Sequence, residues 1–63
     1  MSTALDLLVE QIDEKVTGLK DWVAKGNLQS YEEYQKLCGE ITGLLTARGY
    51  ILDLRKNLEN SDE

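Results

Sequence analysis

A chain of 63 residues with one cysteine and no histidine has room for one domain, and it can form neither an intramolecular disulfide nor a Cys/His zinc site. Seven Lys+Arg against twelve Asp+Glu give a net charge of −5, which disfavours general binding to phosphate backbones, because affinity there comes from Lys and Arg releasing counterions. No run approaches the roughly 20 apolar residues of a membrane span, and Met1-Ser2-Thr3 lacks the basic start of an export signal, so the expected location is the cytoplasm of the cell that makes it.

The first predicted element runs from about residue 3 to 25. Leu5, Leu8, Val9, Ile12, Val16, Leu19, Trp22 and Val23 recur at spacings of three and four, the stripe of one buried helix face. Ser2 or Thr3 serves as N-cap, Asp6 and Glu10 sit near the positive end of the helix dipole, and Lys20 and Lys25 near the negative end. Gly26 fits the left-handed residue that closes a helix.

A turn over 26–30 follows, and Ser30-Tyr31-Glu32-Glu33 is a capping box that opens a second helix over about 31–59. Tyr34, Leu37, Cys38, Ile41, Leu44, Leu45, Ile51, Leu52 and Leu58 continue the apolar stripe, with Arg48 and Arg55 on the same face. Residues 60–63 read as a frayed acidic tail. A short connection between two long amphipathic helices makes them antiparallel neighbours, so the expected fold is an all-α, two-helix hairpin. So short a chain buries a low fraction of its surface, which makes self-association or docking on a larger assembly part of the expectation. At 1.5 Å per residue the helices span roughly 35 and 43 Å, so the second outruns the first near Tyr50, Leu54 and Leu58.

Several residues ask for a reason. Gly39, Gly43 and Gly49 each cost about 1 kcal/mol inside a helix relative to Ala. Gly39 and Gly43 form a small-xxx-small pair, extended by Thr46, Ala47 and Tyr50, that lets another backbone approach; alternatively Trp22 or Leu19 of helix 1 fills the space. Either way the strip Gly39, Gly43, Ala47, Tyr50, Leu54 and Leu58 is the candidate protein-contact surface. Arg48 and Arg55 suit a partner's carboxylates, but the favoured reading has their stems cover the core while the heads reach water or pair with Asp6 and Glu10 across the hairpin. Trp22, Tyr31 and Tyr34 cluster at the turn end; Trp22 and Tyr34 are expected in the core. Cys38 has no histidine to activate it and is expected as a buried structural thiol. The adjacent acids Asp13/Glu14 and Glu32/Glu33 point to different sides of their helices, and no phosphate loop, triad or zinc-ligand spacing is present, so the expectation is a protein that is not an enzyme and takes no cofactor or metal.

The stretch Tyr34-Gln35-Lys36-Leu37-Cys38-Gly39-Glu40-Ile41-Thr42-Gly43-Leu44 resembles the Tyr-x-x-Leu-x-Gly-x-Ile-x-Gly-Leu pattern that opens the second helix of small hairpin proteins of tailed bacteriophages, often encoded near portal and head genes. The resemblance spans residues 5–59 and carries over no catalytic residue. It implies a phage structural or accessory protein that binds itself or other phage proteins, such as the portal or head–tail connector, in the infected bacterial host or the virion. The alternative is a soluble homodimeric four-helix-bundle regulator that binds RNA or, as an acidic inhibitor, a host enzyme. Lys15, Lys20, Lys25, Lys36 and Lys56 are spread among acids, which gives little support to an RNA-binding stripe.

Overall fold

A computed structural model describes residues 3–60 and places them in two α-helices, α1 (Thr3–Ala24) and α2 (Tyr31–Asn60), packed side by side as an all-α antiparallel hairpin with no strand among the described residues. Of the tail expected over 60–63, Asn60 is instead the last residue of α2, and residues 61–63, like the Ser2 cap, lie outside the described residues; Thr3 is the first residue of α1. The molecule measures 52 × 16 × 12 Å. The 30 residues of α2 span about 45 Å and set its length, while the 22 of α1 span about 33 Å.

The turn is built by local hydrogen bonds. α1 stops at Ala24, which leaves Lys25 beyond its last turn, where no basic residue stands. Gly26 adopts φ 77°, the left-handed conformation that costs glycine nothing, and its N–H donates to the Val23 carbonyl at 2.9 Å. In a Schellman closure the next backbone N–H would take the Trp22 carbonyl; here the Asn27 side-chain amide does so at 2.9 Å. At the start of α2 the Glu33 N–H donates to Ser30 Oγ at 3.1 Å, and the Glu33 carboxylate accepts from the Gln29 N–H at 3.0 Å, one residue before the position a standard capping box would use.

The contact between the helices is thin. Val9, Val16 and Leu37 are the buried apolar residues, while Ile12, Leu19 and Val23 of α1 and Ile41, Leu44, Ile51 and Leu52 of α2 are half-buried. Trp22 and Tyr34, expected inside, are 44% and 48% exposed, and Leu8, Leu45 and Leu58 of the expected stripe are exposed as well. With two helices only, a side chain at the edge of the seam has a wall on one side, so a large ring there cannot be enclosed. Tyr34 instead stacks on Tyr31, ring centroids 6.2 Å apart, on the surface of α2. Cys38 is likewise exposed rather than buried, because it lies about 100° around the helix from Leu37, the residue that faces α1.

Two ion pairs fix the antiparallel pairing. Arg55 Nη1 lies 2.6 Å from Asp6 Oδ1, as the cross-hairpin reading has it, and Arg48 Nε lies 2.7 Å from Asp13 Oδ1, so Arg48 takes Asp13 rather than Glu10. Seven residues forward along α1 correspond to seven residues back along α2. Both pairs therefore lie on one edge of the seam.

Candidate functional site

The surface of α2 is where this chain departs most from a self-sufficient fold. Apolar side chains occur on every side of the helix: Leu37 faces α1, while Tyr31 (70% exposed), Tyr34, Leu45 (47%), Tyr50 (70%), Leu54 (48%) and Leu58 (49%) all stand substantially in water. α1 is the one helix packed on α2, and it leaves these side chains uncovered.

The glycine strip is on the outside. A β-carbon at Gly39, Gly43 or Gly49 would meet nothing within 4 Å, so neither Trp22 nor Leu19 fills that space. The alternative in which α1 accounts for these glycines is overturned. Its physical reason is angular: Gly39 and Gly43 follow Leu37 by two and six residues, about 200° and 240° around the helix, on the side turned away from α1. Tyr50 lies on the same outer side, seven residues beyond Gly43. Ala47 is half-buried at the shoulder of the seam, and Leu54 continues its line one heptad on. Thr46 is satisfied within its helix, its hydroxyl donating to the Thr42 carbonyl at 2.8 Å.

A second surface was not anticipated as a site. On the turn half of the hairpin an open groove of about 430 Å³ is lined by Glu14, Lys15, Gly18, Leu19, Trp22 and Leu37. A smaller one of about 230 Å³ adjoins it between Trp22 and Glu33, Lys36, Leu37 and Glu40. The signal was present in the sequence as two heptad lines, Leu8–Lys15–Trp22 on α1 and Glu33–Glu40–Ala47–Leu54 on α2. Lysines and glutamates within those lines disguised them as solvated positions.

The chemistry these surfaces offer is recognition. Among the described residues no group of three or more His, Cys, Asp or Glu is placed to hold a metal ion, and no buried side-chain polar atom lacks a partner. No helix among them is long and apolar enough to cross a membrane. The Tyr34 phenol has its pKa raised, first by a hydrogen bond with the Cys38 thiol one turn on, then by the charge of that thiol's ionised form, with smaller contributions from desolvation and Tyr31. Raising a phenol's pKa keeps it neutral and is the opposite of activating it as a base. No protein-family model, no curated protein and no solved structure matches this chain.

Proposed function

We propose that this chain is a non-enzymatic accessory protein that works by binding other protein chains through the outer side of α2, with Gly39, Gly43, Ala47, Tyr50, Leu54 and Leu58 as its contact strip. The observation that carries the reading is the combination of exposed Tyr50 and Leu54 with two glycines whose open side meets nothing in the chain itself. Glycine in a helix lowers stability, and a gap that no part of the hairpin fills gives that cost a use only when another backbone comes close.

The similarity of residues 34–44 to phage hairpin proteins supports a tailed-phage setting, with the portal or head–tail connector as the docking partner and the infected host cytoplasm or the virion as the location. Mass spectrometry of purified virions tests that part: the chain is expected in several copies per particle, and its absence removes the virion from the proposal. Binding itself is tested by Gly43→Leu, which fills the strip while leaving the α1–α2 seam untouched. Partner capture is expected to fail with helix content intact.

The open groove favours a second reading, a homodimeric four-helix-bundle regulator, because such a bundle covers one face of each hairpin. In this reading the groove, rather than the glycine strip, is the surface that decides the protein's behaviour.

A further inference from the structure

We draw no further inference here: the strongest candidate, the open apolar groove beside Trp22 and Leu37 on the turn half of the hairpin, carries none, because nothing in the structure shows what covers it.

Discussion

Arg48 grips Asp13 with two nitrogens, Nε on Oδ1 at 2.7 Å and Nη2 on Oδ2 at 3.4 Å, and the same residue types meet one heptad away where Arg55 reaches Asp6 at 2.6 Å. A slip of one helical turn would pull both arginines off their acids at once, so the repeat sets the register of the hairpin. The side chains are 35–51% exposed, and water screens the attraction. Asp13→Asn is therefore expected to cost only about 0.2–1 kcal/mol, read from urea unfolding followed by circular dichroism, and the loss should shrink in high salt. Exchanging the charges with Asp13→Arg and Arg48→Asp together should recover most of it. A loss unchanged by salt would mean that Asp13 acts through packing instead.

The hairpin was legible because its signals are local: the three-four spacing of α1, Gly26, and the Ser30/Glu33 pair each act within one turn of chain. What misled was the width of the stripe. Apolar spacing says that Trp22, Tyr34 and Cys38 belong near a seam, but not how much of them a single neighbouring helix can cover, and one helix covers a narrow arc. The contact strip on α2 drew attention through its glycines, whose open side only the fold could reveal. The groove went unnoticed because its walls include Lys15, Lys36, Glu33 and Glu40, whose charged ends reach water while their stems line apolar space.

Gly49→Ala should raise the stability of the hairpin by up to about 1 kcal/mol, since alanine is the better helix former and its β-carbon would meet nothing within 4 Å. Thermal unfolding by circular dichroism reads this directly. Gly39→Ala and Gly43→Ala should show the same gain in the isolated protein but weaken capture of a partner on the strip. A drop in stability at any of the three would reveal a close approach within the assembled protein.

Leu37 is the one buried residue of α2 and also lines both grooves. Leu37→Ala is expected to remove about 2–3 kcal/mol, the lower part of the range for a core leucine, because the neighbouring side chains are exposed enough to move into the gap. With three buried apolar residues among those described, the loss is a large share of the total. Circular dichroism should show reduced helix content at ambient temperature and a lower urea midpoint. An unchanged midpoint would place the stabilising contacts elsewhere along the seam.

The Tyr34–Cys38 pair gives the clearest pH signature, because the thiol holds the phenol's pKa above its ordinary value of 10.0. The sign follows from linkage: folding disfavours the phenolate, so the associated stability is fully present below the ordinary phenol pKa and is lost as pH rises through the raised value in the folded chain. The three tyrosines can be separated by near-ultraviolet titration of the native chain against Tyr34→Phe. Tyr34 is expected to ionise at higher pH than an unhindered phenol, and Cys38→Ala should bring it down, since the hydrogen bond to the thiol is the largest cause; Tyr31→Phe should move it less. A Tyr34 curve that Cys38→Ala leaves in place would mean that the thiol is not what raises it.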